Sequence, residues 1–211
     1  PEQLELQKKA REFSISELLP IVHKYDDLGI TTVYVIKKAW EAGLMNTGIP
    51  KKYGGSGMGL LEEAIITEEW SAAAPGMATT LNGNNLGEEP LIMCDNETLK
   101  EEILTDLVKN FGIICFATSE TVMGSDLAGM MCKVERDGND YIINGKKYWI
   151  TNAGFTKYAT VFATEDPKTR HKGIGAFLIR MDKEGVSVGR PIEKMGHRCS
   201  NTTILDFKHY R

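Results

Sequence analysis

Apolar positions in the first half of the chain repeat at intervals of three and four residues. Leu6, Ala10 and Phe13 show this spacing at the start of the sequence. Because an α-helix turns once every 3.6 residues, the spacing puts apolar side chains on one helical face. Beyond these residues the same pattern predicts helices over about 60–73, 76–88 and 97–110. Asn96 is the expected N-cap of the last one.

The pattern changes near residue 112, where apolar and polar positions begin to alternate. Short β-like runs cover Met131 to Val134, Tyr141 to Ile143 and Lys147 to Ile150. Asp137-Gly138 and Asn144-Gly145 separate them, and an Asn-Gly or Asp-Gly pair is a strong hairpin signal. The alternation therefore predicts an antiparallel meander. Later strands are expected over 160–164, 176–181 and 203–207.

A helical half followed by a β half defines the α+β class. We expect an N-terminal all-α helical domain of residues 1–112. An antiparallel β-barrel or sandwich domain of residues 113–211 is expected to follow it.

Composition narrows the class of protein. The 211 residues are 42% hydrophobic and 26% charged, with a net charge of −4, which is ordinary for a globular protein. The charges are interspersed, so nucleic acid is not an expected partner, and no apolar run approaches the roughly 20 residues of a membrane span. The cysteines form no C-x-x-C pair, so neither a metal site nor a disulfide framework is indicated. We expect a reducing compartment, either the bacterial cytoplasm or the mitochondrial matrix.

Three segments together indicate a flavin site. They are Lys147 to Asn152, Gly124 to Asp126 and Met195 to Ser200. In the first, an indole can cover one face of a flat aromatic cofactor while the hydroxyl of Thr151 bonds to its edge. The alternative is that Trp149 is an ordinary core residue of a strand.

The order of these motifs resembles the acyl-CoA dehydrogenase family, and most closely its medium-chain and short-chain branch. The resemblance covers essentially the whole chain. It is carried by Ser119-Glu120, Gly124 to Gly129, Asn144 to Asn152, Gly196 to Ser200, Trp40 to Pro50 and Gly54-Gly55.

The resemblance implies the activity and the partners. Members of the family use FAD to dehydrogenate an acyl-CoA thioester to a 2-enoyl-CoA, as in fatty acid β-oxidation. It further implies an acyl-CoA substrate, an electron-transfer flavoprotein as electron acceptor and a homotetramer for the full-length enzyme.

The resemblance also assigns residues by position. Trp149 matches the side chain that covers the flavin face, and Thr151 the hydroxyl at its N5 edge. The implied cofactor-binding residues are Phe116, Thr118, Ser119, Gly124, Ser125, Trp149, Ile150 and Thr151. The implied substrate-binding residues are Thr79, Asn82, Leu86, Ser125 and Arg170. From spacing alone, the first three of these also fit an ordinary helix packing face, and Arg170 also fits a solvated basic loop.

The sequence departs from the family at two places. Thr121, Val122 and Met123 stand where members usually carry a proline and a small residue, which alters the loop before Gly124. None of the carboxylates matches the catalytic glutamate, which the family places in a third, C-terminal helical domain. No catalytic residue is therefore nominated, and the chain alone is expected to be inactive, as a portion of a larger enzyme.

Two other functions stay open at this point. One is a non-catalytic module that binds acyl-CoA or a flavoprotein partner, and the other is an acyl-CoA oxidase-type flavoenzyme on a related fold. Lys194 and Arg198 are expected to anchor their loop by salt bridges and not to act in catalysis.

Overall fold

The computed structural model describes all residues from Pro1 to Arg211. They form two compact units, which we call the helical unit (residues 1–112 with 193–201) and the sheet unit (residues 113–192 with 202–211). Segment 193–201 therefore packs with the helices, although its position in the sequence suggested the β half. The division into independent domains at residue 112 stays a prediction.

Six α-helices and one π-helical turn, Ser14–Leu18, build the helical unit. The helices are α1 (Glu2–Phe13), α2 (Val22–Leu28), α3 (Val33–Glu41), α4 (Leu60–Ala73), α5 (Pro75–Met93) and α6 (Glu97–Lys109). The Asn96 side chain accepts the Leu99 N–H at 3.0 Å, so the predicted N-cap of α6 is present. None of the helices combines the length and apolar character that crossing a bilayer requires.

Helix α5 is longer than its sequence pattern predicted. It continues through Pro90, which has no N–H to donate to the carbonyl of Leu86. The turns on both sides are held by buried residues, Glu88 and Leu91, which are 1% and 4% exposed. Tertiary packing therefore overrides the local preference of proline to end a helix.

Seven strands form one sheet in the sheet unit. They are β1 (Ile114–Ala117), β2 (Lys133–Asp137), β3 (Asp140–Thr151), β4 (Tyr158–Thr164), β5 (Ile174–Arg180), β6 (Val186–Val188) and β7 (Thr202–Tyr210). The path through the sheet is β1-β4-β2-β3-β7-β6, with β5 paired to β4.

The sheet is mixed, so the expected antiparallel barrel or sandwich was imprecise. Strand β1 runs parallel to β4, with Ile114 opposite Tyr158, and β2 meets β4 in parallel at Lys133 and Thr164. The remaining pairs are antiparallel. Alternation of side chains does not encode strand direction, whereas the near-continuous burial of β1 is typical of a parallel strand.

The Asn144-Gly145 pair is not a hairpin turn, so that prediction was wrong. Strand β3 continues through it, and the hairpin to β2 lies at Asp137 to Asp140. Gly145 has φ of 142°, and a Cβ there would lie 2.8 Å from Cys132 Cα. The pair instead marks a register shift against β7, which requires glycine because the backbone of Cys132 approaches so closely.

Candidate functional site

Trp149 lies in an irregular part of β3. Lys147 and Ile150 are both buried, although residues three apart in a regular strand face opposite sides. The register against β7 shifts between these two positions, and Trp149 has φ of 58°, in the left-handed region. The irregularity leaves the indole 54% exposed, so Trp149 is not a core side chain.

The end of β1 lies beside this irregularity, which we call the Trp149 bulge (residues 148 and 149). The Tyr148 N–H donates to the Ser119 carbonyl at 2.9 Å. Thr118 is buried and Ser119 is half-buried. The structure therefore brings Thr118 and Ser119 close to the segment that carries Trp149, Ile150 and Thr151.

Phe116, the aromatic residue assigned to the same region, is half-buried in β1. Its ring centroid lies 5.3 Å from that of Phe162 in β4. This contact follows from the parallel pairing of the two strands, which the alternating pattern did not reveal. Phe162 was therefore not identified from the sequence.

A buried ion pair lies beneath the same region. Lys147 Nζ is 2.7 Å from Glu120 Oε1 and donates to the Thr118 carbonyl at 3.0 Å. Glu120 also accepts the N–H groups of Met131 at 2.8 Å and Cys132 at 2.9 Å. Both charged residues lie within sequence motifs but had no predicted role, since nothing in the local pattern separates Lys147 from its exposed neighbour Lys146.

The loop between β1 and β2 carries two further predicted residues, Gly124 and Ser125. Both are exposed, and a Cβ added at Gly124 would meet no atom within 4 Å. Arg170 reaches the same loop, because its guanidinium lies 3.2 Å from Asp126 Oδ1. Ser125 and Arg170 are thus brought near each other through Asp126, in an exposed pair that contributes little to stability.

Thr79, Asn82 and Leu86 lie in the helical unit, on α5. The Thr79 hydroxyl donates to the Pro75 carbonyl at 2.9 Å, and its oxygen lies at hydrogen-bond distance, 3.0 Å, from His197 Nδ1. Asn82 accepts a hydrogen bond from Thr67 at 3.0 Å. None of the three predicted residues is fully buried, and Leu86 is 60% exposed.

Lys194 and Arg198 of segment 193–201 bond to main-chain carbonyls and do not form the salt bridges expected from the sequence. Lys194 Nζ donates to the Ser200 carbonyl at 2.7 Å, and Arg198 to the Asp27 carbonyl at 3.1 Å. Asp26 accepts the Cys199 N–H at 3.0 Å, and this bond lowers the pKa of the carboxyl. The segment therefore has the structural role that was expected, by different bonds.

Three of the four cysteines are buried thiols and are poorly suited to nucleophilic chemistry. Burial raises the pKa of Cys115 to about 12 and the pKa values of Cys132 and Cys199 to about 11. A thiol with such a pKa is protonated at neutral pH and is a poor nucleophile. No group of three or more metal-ligating side chains is present either.

Comparison with known proteins relates the whole chain to the acyl-CoA dehydrogenases. A family model described as "Acyl-CoA dehydrogenase, N-terminal domain" matches residues 1–110, and one described as "Acyl-CoA dehydrogenase, middle domain" matches residues 115–210. The probable medium-chain specific acyl-CoA dehydrogenase 2, mitochondrial, of Caenorhabditis briggsae is 37% identical over 212 residues. That match covers 99% of this chain and 52% of the relative.

Two solved structures share the fold. Butyryl-CoA dehydrogenase from Megasphaera elsdenii superposes with a TM-score of 0.92 at 30% identity, covering 98% of this chain and 55% of the other. An acyl-CoA dehydrogenase complexed with FAD, from Bacillus anthracis, gives a TM-score of 0.87 at 30% identity. It covers 99% of this chain and 35% of the other.

The fold is thus a helical part followed by a mixed β-sheet, of the kind found in flavin-dependent dehydrogenases of acyl thioesters. The chain belongs to the acyl-CoA dehydrogenase family. The resemblance that the motifs indicated is therefore confirmed. The chain spans about half the length of the curated relatives that it matches.

Proposed function

We propose that this chain forms the FAD-binding portion of an enzyme that dehydrogenates an acyl-CoA thioester to the 2-enoyl-CoA. The observation that carries the proposal is the Trp149 bulge, which exposes a large aromatic side chain next to buried, fixed neighbours. An exposed indole on a rigid strand is a preformed stacking surface for a flat ring. The FAD complex of the Bacillus anthracis relative supports the choice of cofactor.

The residues present fit a flavin. Trp149 would cover one face of the ring, and the half-buried hydroxyl of Thr151, two residues further along β3, would donate to its edge. The open space at Gly124 permits close approach of a phosphate to the backbone, and the exposed Ser125 adds a hydroxyl donor. When bound, FAD supplies the acceptor for the hydrogen that leaves the acyl chain as hydride.

The remaining assigned residues complete the proposed cofactor site. Phe116 contributes an aromatic ring, and Thr118 and Ser119 contribute main-chain groups and hydroxyls at the pyrimidine end. Ile150 is 2% exposed and holds the strand in the sheet core between the two residues that would touch the flavin.

Substrate residues are proposed in both units. Thr79, Asn82 and Leu86 would line the acyl chain, because they share one face of α5 and keep exposed surface. Ser125 and Arg170 would contact the CoA portion, where a guanidinium suits phosphate groups. Arg170 would exchange its exposed partner Asp126 for the ligand.

The proton abstractor of the reaction is not among the residues assigned here. The proposed division of labour is that this chain binds and orients flavin and thioester, while a carboxylate elsewhere in the whole enzyme removes the α-proton. An electron-transfer flavoprotein is the proposed acceptor and a homotetramer the proposed assembly. The relatives include mitochondrial enzymes, which agrees with a reducing compartment.

Flavin content tests the proposal. The purified 211-residue chain, incubated with FAD and then desalted, is expected to keep the visible absorbance of bound flavin. Trp149→Ala should lose it. The matched control is Tyr141→Ala, which removes another partly exposed aromatic ring from the same strand, at 39% exposure. Equal flavin content in all three proteins contradicts the assigned role of Trp149.

Assays with acyl-CoA distinguish the dehydrogenase from the non-catalytic module and the oxidase. The chain alone is expected to show no dehydrogenation in the presence of an artificial electron acceptor. A chain that stays colourless but binds acyl-CoA would favour the non-catalytic module. Peroxide release by the whole enzyme would favour the oxidase.

A further inference from the structure

We propose that Lys147 is a positioning residue for the candidate flavin site. Its buried ammonium, together with Glu120, holds the loop of residues 118–132 against the Trp149 bulge before any cofactor binds. The inference rests on the proposed function for what the site binds, while the positioning itself is a property of this chain.

The Lys147 ammonium is fully enclosed. Its side chain has 0% exposure, and that of Glu120 has 6%. Nζ lies 2.7 Å from Glu120 Oε1 and 3.0 Å from the Thr118 carbonyl, so it ties together the two residues that flank Ser119 in the chain. Burying an ammonium is costly, and a well-packed apolar residue often stabilises such a site as much or more. Stability alone therefore gives little reason for a lysine here.

Glu120 extends the connection across the loop. Its two carboxylate oxygens accept the N–H groups of Met131 and Cys132, so a single side chain joins the two ends of the segment that contains Gly124 and Ser125. An apolar residue in place of Glu120 would leave these N–H groups without their acceptor. The positive charge of Lys147 in turn compensates the negative charge of the Glu120 carboxylate, which accepts these N–H groups.

The same lysine also borders the irregularity in β3. The register with β7 is regular at Lys147, where it faces Leu205, and shifts before Ile150. Immediately after Lys147, the Tyr148 N–H bonds to the Ser119 carbonyl. Lys147 therefore connects the residue directly before the Trp149 bulge to the start of the loop of residues 118–132. This connection sets the position of Trp149 relative to Ser119.

The adjacent lysine shows that position and not charge gives Lys147 this role. Lys146 is half exposed and lies 3.0 Å from Asp206 on β7, so its cation pairs across the strands and not with Glu120. It precedes Lys147 directly and carries the same charge. Lys146→Met is therefore a matched control.

Amide hydrogen exchange on the full 211-residue chain tests the inference without any cofactor. The variants are Lys147→Met and the double variant Lys147→Met/Glu120→Gln, in which no unpaired charge is buried. We expect exchange at the amides of Met131, Cys132 and Tyr148 to rise at least about tenfold in the double variant, as bonds to charged groups are lost. The Val161 amide, in the centre of β4, and all amides of Lys146→Met should stay close to wild type.

An FAD titration of the same proteins provides a second measurement, the dissociation constant of FAD. The dissociation constant is expected to rise about tenfold in the double variant, because the fraction of binding-competent chains falls. Unchanged exchange at the three amides overturns the inference, and so does an equal rise at Val161, which would mean general destabilisation. If wild-type chain fails to bind FAD while the three amides respond as expected, the positioning stands and the proposed function is wrong.

Discussion

Among the buried glutamates, Glu120 in the sheet unit and Glu88 in the helical unit offset the cost of enclosing a carboxyl group in opposite ways. Glu120 in the sheet unit and Glu88 in the helical unit are 5% and 1% exposed. Glu120 faces the ammonium of Lys147 and two main-chain N–H groups. Glu88 accepts the side-chain amide of Asn84 at 2.8 Å, and its charged neighbours are the carboxylates of Glu63 and Glu89.

The neighbours of Glu88 favour its neutral form. Burial, and then repulsion from Glu63, raise the pKa of the Glu88 carboxyl well above its ordinary value. The groups hydrogen-bonded in series behind Glu88 are also uncharged. The side-chain amide of Asn84 donates to Asn46 at 2.5 Å, and that of Asn46 donates to the Leu107 carbonyl at 2.9 Å. A protonated acid can end such a chain without a cation.

The difference separates two uses of a buried acid. The pair in the sheet unit fixes a loop and a bulge that lie in the candidate flavin site. The acid in the helical unit joins α5 to the segment around Asn46, deep in a core with no assigned chemistry. We therefore expect the first to respond to loss of its partner and the second to respond to pH.

The largest effect is expected for Lys147→Met. The substitution leaves the Glu120 carboxylate buried without its cation, which typically costs about 3–5 kcal/mol of unfolding free energy. Chemical denaturation measures it. Adding Glu120→Gln should recover much of the loss, because the uncompensated charge is then gone. A double variant as unstable as the single one would show that the charge pair is not the source of the effect.

A smaller effect of opposite sign is expected for Glu88→Gln. The folded-state pKa lies above the unfolded value of about 4.5, so the folded chain keeps a proton that the unfolded chain releases. Stability contributed by this proton is complete below the unfolded pKa. It then falls by up to about 1.4 kcal/mol per pH unit until the folded pKa is reached.

Glutamine cannot ionise and keeps a similar shape, so the variant should be more stable than wild type at neutral and alkaline pH and similar at acid pH. Melting temperatures measured across pH test this. Parallel curves for the two proteins at every pH would contradict the raised pKa.

Trp149→Ala is expected to change the stability of the free chain by no more than about 1 kcal/mol, because the side chain is half exposed. A fully buried indole would cost on the order of 3–5 kcal/mol when truncated, and the exposure of Trp149 excludes that case. Thermal unfolding without FAD checks the value. A cost of several kcal/mol would mean that the indole packs as core residues do.

The smallest effect on stability is expected for Arg170→Ala. Its ion pair with Asp126 is exposed on both sides, unlike the pair of Lys147, so the unfolding transition should not shift measurably. Affinity for CoA should fall and should lose part of its salt dependence. Calorimetric titration at two salt concentrations measures both. Unchanged affinity would remove Arg170 from the proposed substrate site.

Much of the fold followed from sequence because its signals were local. The Asn96 cap needs only its own turn, and the helical spacing of α4 reflects one buried face. Strand direction was missed, since β1 pairs with β4 more than forty residues later and alternation carries no sign of it. Asn144-Gly145 misled for a related reason, because the approach of Cys132 is visible only in three dimensions.

The candidate site likewise has features that sequence motifs predicted and features that depend on tertiary structure. The resemblance assigned Trp149, Thr151 and Ser125 to the candidate site without showing how they are held. The bulge that exposes Trp149 depends on pairing with β7, and the burial of Lys147 in preference to Lys146 depends on the whole sheet. Glu88 was not singled out at all, since a glutamate within a helix gives no local sign that it is enclosed.

An equilibrium titration of the free 211-residue chain with FAD, followed by flavin fluorescence, tests the central claim most directly. The account predicts saturable binding to wild type and a dissociation constant at least about tenfold larger for Trp149→Ala, as expected for loss of a stacking surface. The same constant for both proteins, or no binding to wild type, would contradict it.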